Sequence, residues 1–131
     1  MHKQDNTVEA QKAAPVQGRQ VLTKAVINAS EFMGLSQVLL ARTLGLSEAT
    51  ISRMKSGEYL LKTSSKEWEL AALLVRLYRS LDAIVAGDEN TLRAWLQNYN
   101  KALAEVPVNL ISKVTGLTKT LDYVDAYRAR V

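Results

Sequence analysis

Residues 47 to 57 read SEATISRMKSG, and four of their side chains, Glu48, Ala49, Ser52 and Arg53, are of the types that read base edges in duplex DNA. An arginine can grip guanine O6 and N7 with two hydrogen bonds, a glutamate can accept from the cytosine amino group, and an alanine can pack on a thymine methyl. Gln37, Thr50, Lys55 and Ser56 suit phosphate oxygens, contacts that fix register without carrying sequence information. Glu48 has an equally good second use, because a negative side chain in the first turn of a helix stabilises the helix dipole.

Other chemistries find little support. The chain has no cysteine and one histidine, His2. The carboxylates Glu67, Glu69, Asp122 and Asp125 are scattered as on helix faces, and no histidine, cysteine or glycine-rich phosphate loop joins them in a recognisable site. The expectation is therefore a protein that is not an enzyme and carries no metal and no cofactor.

The elements that must position Arg53 and its neighbours are helices, and the whole chain reads as all-α. Residues 1–19 are polar and small, with Pro15 and Gly18 as breakers, and are expected to form a flexible leader. A helix from Val21 should end near Gly34. Ser36 caps the next, Gly45 supplies the turn, Ser47 caps a third that runs through Lys55, and Gly57 ends it. Residues 20–64 thus form one expected domain and residues 65–131 a second. In the second, Ser64 or Ser65 caps a long helix whose apolar residues Leu70, Leu73, Leu77, Leu81 and Ile84 recur every three or four positions, while Ala71, Ala72, Val75 and Tyr78 widen the face. That face predicts a dimer seam as well as intramolecular cover. Gly87 and Asp88 separate it from a helix bearing Leu92, Trp95 and Leu96. A loop over 98–106 follows, then a short helix opened by Pro107, and a last helix after Gly116. Trp95 is expected in the core.

The formal net charge is +4, and residues 1–64 hold eight Lys/Arg against five Asp/Glu, whereas residues 65–131 hold nine against eight. The excess sits with the DNA-reading stretch, which fits an anionic partner. The first 20 residues lack the apolar segment of a signal peptide and no run is long enough to span a membrane, so a cytoplasmic protein is expected.

With Ser36-Gln37 opening one helix, Ala41, Gly45 and Leu46 at the crossing, and Thr50-Ile51-Ser52-Arg53 in the next, residues 36–57 resemble the helix-turn-helix of the Xre (phage-repressor-like) family. The resemblance supports Gln37 more than Glu48 as a DNA contact. Further on, Ala94-Trp95-Leu96, Asn100, Leu103, Pro107, Leu110-Ile111, Gly116 and Val124 resemble the toxin-binding domain of Xre/MbcA/ParS-type antitoxins. Members of that family usually carry a glycine shortly before the proline, where this chain has Ala104-Glu105-Val106.

The two resemblances together imply an antitoxin that neutralises a RES-domain toxin, an enzyme that depletes cellular NAD, and represses its own operon at operator DNA. They also imply a homodimer and a higher toxin–antitoxin complex. The chain ends YVDAYRARV, so Tyr127, Arg128, Arg130 and Val131 form an expected mobile end for the toxin's cleft, with Tyr99 and Asn100 as further contacts. The two arginines have a plainer alternative, which is to solvate a helix end and oppose its dipole. A stand-alone helix-turn-helix regulator, whose C-terminal half dimerises or senses a ligand, is the other function that the residues accommodate.

Overall fold

Most helices begin where the sequence supplies a side-chain cap. The computed structural model describes residues 2–130, with side chains from Val16 onward. Its helices are α1 (His2–Phe32), α2 (Gln37–Leu44), α3 (Glu48–Ser56), α4 (Lys66–Ile84), α5 (Glu89–Gln97), α6 (Pro107–Leu110) and α7 (Val114–Arg130), and no strand occurs among the described residues. Ser36, Ser47 and Ser65 Oγ each accept the backbone N–H three residues on, at 3.1 Å in all three cases. Asp88 caps α5 in the same way, and Pro107 opens α6, where its missing N–H costs nothing. Between α2 and α3, Gly45 takes φ 71°, and its N–H and that of Leu46 return to the α2 carbonyls.

The N-terminal segment departs from the expected flexible leader. Residues 16–19 belong to α1, and the remainder of the expected leader, 1–15, lies outside the described side chains. Arg19 ties this part of α1 to the connector before α4: its guanidinium donates to the carbonyls of Leu61 (2.7 Å) and Leu60 (3.2 Å). Thr23 Oγ1 then accepts from the Leu61 N–H at 3.0 Å. The connector before α4 is thereby fastened to α1 by backbone groups that would otherwise lack partners. From its other side, Glu67 Oε1 accepts from the Tyr59 hydroxyl at 2.7 Å and from the Lys62 N–H at 3.2 Å.

α4 is the centre of the molecule. It packs against α1 and α7, with α2 and α5 at its flanks. Leu74 and Leu77 are 0% exposed and Leu81 1%. Leu77 and Leu81, expected on a dimer seam, are therefore core residues of a single chain. The face read as too wide for one seam is wide because neighbouring helices of the same chain cover it. Leu70, Leu73 and Ile84 remain half-buried.

The end of the chain differs from expectation at two glycine-related positions. α7 begins at Val114, ahead of Gly116, and Gly116 lies inside it, where a Cβ would stand 2.1 Å from the Leu110 carbonyl oxygen. Its role is to let α7 approach α6, not to stop a helix. In the 98–106 loop, Ala104 adopts φ 56°, a left-handed conformation in which a β-carbon crowds the backbone. Ala104 lies in the 104–106 stretch shortly before Pro107, and glycine would fit there without strain.

Two outcomes follow from these local features. Relief of the left-handed strain, partly offset by the greater backbone freedom of unfolded glycine, should make Ala104→Gly more stable by about 0.5–1 kcal/mol. Urea denaturation would read this as a higher midpoint at unchanged slope, and a lower midpoint would refute it. The second concerns Tyr59, whose phenol is pushed up from 10.0 to about 12 by burial, with the hydrogen bond to Glu67 and its charge adding to the shift. Folding holds this proton more tightly than the unfolded chain does, so its contribution is complete below pH 10 and is lost as pH rises through about 12. Stability should decline more steeply across that window in the wild type than in Tyr59→Phe; identical slopes would refute the coupling.

Candidate nucleic-acid interface and C-terminal face

The α2–α3 pair is held from beneath by Leu40, Leu44, Ile51 and Met54, all buried. Inward-facing Ile51 and Met54 leave Glu48, Ala49, Ser52, Arg53, Lys55 and Ser56 exposed on the outside of α3, as expected. Glu48, Ser52 and Lys55 recur at helical spacing and form one outer row. Gln37, the first residue of α2, ties itself to that row. Its Nε2 donates to Ser52 Oγ (2.8 Å) and to the Glu48 carbonyl (3.0 Å), while Lys55 Nζ donates to its Oε1 (3.3 Å). These bonds fix the amide of Gln37 and join the start of α2 to the full length of α3's exposed row.

Arg53 stands on the adjoining row. Its Nη2 donates to Thr50 Oγ1 at 3.1 Å, and Thr50 and Ser47 share a hydroxyl–hydroxyl bond of 2.9 Å. Thr50 is buried, 8% exposed. Expected as a phosphate contact, it instead orients Arg53 from below, because its side chain turns back toward the Ser47 cap. Ser56 is exposed and its hydroxyl donates to the Arg53 carbonyl at 3.1 Å.

In the C-terminal half, α5 and α7 present aromatic side chains together. Trp95, expected in the core, is only half-buried and stacks on Tyr123 with ring centroids 6.4 Å apart and planes inclined by 19°. With Ile84, Val85, Thr91 and Tyr127 they line a cleft of ≈ 390 Å³. A shallower recess on the other side of Trp95 is lined by Ala94, Asn98 and Tyr99. Tyr99 is 66% exposed and Tyr127 47%. Sequence reading missed Tyr123, although Tyr123 and Tyr127 are spaced to share one face of α7.

Asn100 proves to be a loop builder. Its Oδ1 accepts the Leu103 N–H at 3.0 Å, and its backbone pairs with Glu105 in an isolated bridge. The chain end also differs from the mobile segment expected, since α7 continues to Arg130. Asp125 holds it to α4 through Arg76 and through Ser80, whose hydroxyl donates to Oδ1 at 3.0 Å, and Arg128 Nη1 reaches Ser80 at 3.5 Å. Arg130 is exposed at the helix terminus, and Val131 lies outside the described residues. Among the described residues, no group of three or more His, Cys, Asp or Glu could hold a metal ion. Among the described residues no helix is long and apolar enough to cross a membrane.

Residues 13–76 match the antitoxin Xre-like helix-turn-helix domain, and residues 80–130 match the antitoxin Xre/MbcA/ParS C-terminal toxin-binding domain. No curated protein matches the chain. The first match contains the α2–α3 pair and the second contains α5, the aromatic residues of the cleft and α7. They meet within α4, the helix that both halves use as cover.

The two exposed rows of α3 should behave differently on duplex DNA. Arg53→Ala should weaken binding by about 1–3 kcal/mol and relax sequence preference, whereas Lys55→Ala should weaken binding to all sequences alike. Gel-shift titrations at fixed salt measure both effects. Unchanged affinity in Arg53→Ala would exclude it as a base reader.

Proposed function

The chain belongs to the Xre family of type II antitoxins, and on that premise we propose that its toxin is a RES-domain enzyme that depletes NAD, and that it represses the operon encoding both. The observation that carries the reading is the coexistence of two separately built faces. One is the hydrogen-bonded polar face of α2–α3, and the other is the aromatic cleft with the basic end of α7.

For the DNA arm, Gln37, Glu48, Ala49, Ser52, Arg53, Lys55 and Ser56 form the contact face, with Thr50 as the residue that positions Arg53. A single helix-turn-helix reads few base pairs, so the active species is a homodimer on two half-sites. With Leu77 and Leu81 inside the core, half-buried Leu70, Leu73 and Ile84 are what remains of the expected seam.

For the toxin arm, Tyr99, Tyr127, Arg128 and Arg130 are the contacts we favour. Guanidinium groups suit a pocket built for nucleotide phosphates, because they form paired, charge-assisted hydrogen bonds in a fixed plane. A helical rather than mobile end lowers the entropy lost on docking, since the arginines enter already spaced along α7. The cleft beside them offers apolar surface and stackable rings, the composition of many binding hot spots.

Removing residues 126–131 tests this arrangement. The truncation deletes Tyr127, Arg128 and Arg130 but keeps Leu117, Leu121 and Val124 in the core, as well as Asp125 with its bonds to Arg76 and Ser80. The fold and operator binding should survive while neutralisation of the coexpressed toxin is lost, read as arrested growth and falling cellular NAD. Full protection by a folded truncation would refute the role of the α7 end. A toxin that leaves NAD unchanged would refute the RES assignment alone.

A further inference from the structure

α1 and the C-terminal end of α3 flank an open groove of ≈ 470 Å³ whose α1 wall the helix-turn-helix reading does not use. Gln20, Lys24 and Asn28 line it from α1, spaced four residues apart and therefore in one row along the helix. Lys55 and Ser56 line it from α3. All five side chains can donate hydrogen bonds, and all five residues are exposed. Among the described residues neither lysine makes an ion pair, and Lys55 Nζ bonds a neutral amide oxygen of Gln37. The groove thus holds two uncompensated cations and a set of donors. Its one carboxylate, on Glu31, lies a further helical step along α1.

Lys55 places this groove beside the DNA face. The same side chain that bonds Gln37 on the outer row of α3 also belongs to the groove wall. Lys55 ends the outer row of Glu48, Ser52 and Lys55, so a duplex engaged along that row meets the groove at its Lys55 wall. Phosphodiester oxygens accept hydrogen bonds from ammonium, amide and hydroxyl groups alike, and need no particular base.

We propose that α1 supplies a second strip of the DNA-binding surface, in which Lys24, flanked by Gln20 and Asn28, binds the phosphodiester backbone across the groove from Lys55. The inference rests on the DNA-binding reading above and extends it to a helix outside the helix-turn-helix. Lys24 contributes affinity and salt dependence there, with no part in reading sequence, and Glu31 opposes binding by repelling the same backbone.

The test uses the full-length chain and two labelled duplexes of equal length, one from the region upstream of its own gene and one scrambled. Binding is measured by fluorescence anisotropy over a salt series. Lys24→Gln should weaken both duplexes about fivefold at fixed salt and lower the slope of log K against log salt by about 1. Glu31→Gln should tighten both. Lys101→Gln, which removes an exposed lysine from the C-terminal loop, controls for net charge and should change neither.

Wild-type affinity and slope in Lys24→Gln, or an equal loss in Lys101→Gln, would overturn the groove proposal while leaving the DNA reading intact. Loss confined to the upstream duplex would also overturn it, by making Lys24 a sequence reader. Displacement of DNA by millimolar inorganic phosphate at constant ionic strength would assign the groove to a free phosphate instead. A wild-type chain that binds neither duplex would overturn both readings together.

Discussion

Leu74, Leu77 and Leu81 lose their contact with water because α1 closes over α4 from one direction and α7 from another, and both functional faces take their positions from that enclosure. Burying each such leucine is worth about 1.5–3 kcal/mol, so a polar side chain at any of the three would remove a large part of a small protein's stability. α1 then supports α3 directly, and α7 carries the aromatic cleft. Neither half has this core to itself. That is why the two family matches meet inside α4 and not at the connector before it.

Polar side chains then fix the angles that apolar packing leaves loose. Arg19 and Thr23 hold the connector from α1, and Glu67 holds it from α4, so residues 59–62 are bonded from both sides. At the other end of α1, Arg93 of α5 donates to the Glu31 carbonyl at 2.8 Å and to the Phe32 carbonyl at 3.1 Å. The last carbonyls of a helix have no partners within it, and a cation there also meets the negative end of the dipole. Glu89 completes the arrangement by accepting from the same guanidinium at 2.7 Å.

Elements that depend on local chemistry were legible in the sequence. Ser36, Ser47, Ser65 and Asp88 cap because their oxygens reach N–H groups two or three residues away, and that reach is written in the chain itself. The inward direction of Ile51 and Met54 followed from spacing for the same reason. What depended on distant partners was not legible. Periodicity showed that Leu77 and Leu81 must be covered but could not say that the cover comes from the same chain. Thr50 and Asn100 are polar residues of types that bind ligands or build local structure equally well, and their bonds to Ser47, Arg53 and Leu103 could not be read from type and spacing. Residues 16–19 read as the end of a flexible leader because the carbonyls that Arg19 bonds lie more than 40 positions away.

α5 illustrates the limit most sharply, because its nine residues serve three surfaces. Leu92 and Leu96 are buried and face the core. Arg93, one residue past Leu92, turns about 100° around the axis and meets the end of α1. Trp95, two residues further, turns about 200° more and faces the cleft with Tyr123. Hydropathy distinguishes only the first of these sides. The other two differ in what they touch, and a helix with one apolar stripe gives no sign that its remaining surface divides into a latch and an aromatic wall. Because both side chains project from the same short helix, the Trp95 wall of the cleft is linked through the α5 backbone to Arg93 and so to the end of α1, beside the anchorage that buried Leu92 and Leu96 give it. Cleft and helix-turn-helix are therefore held in register by the guanidinium of Arg93 as well as by the leucines of α4.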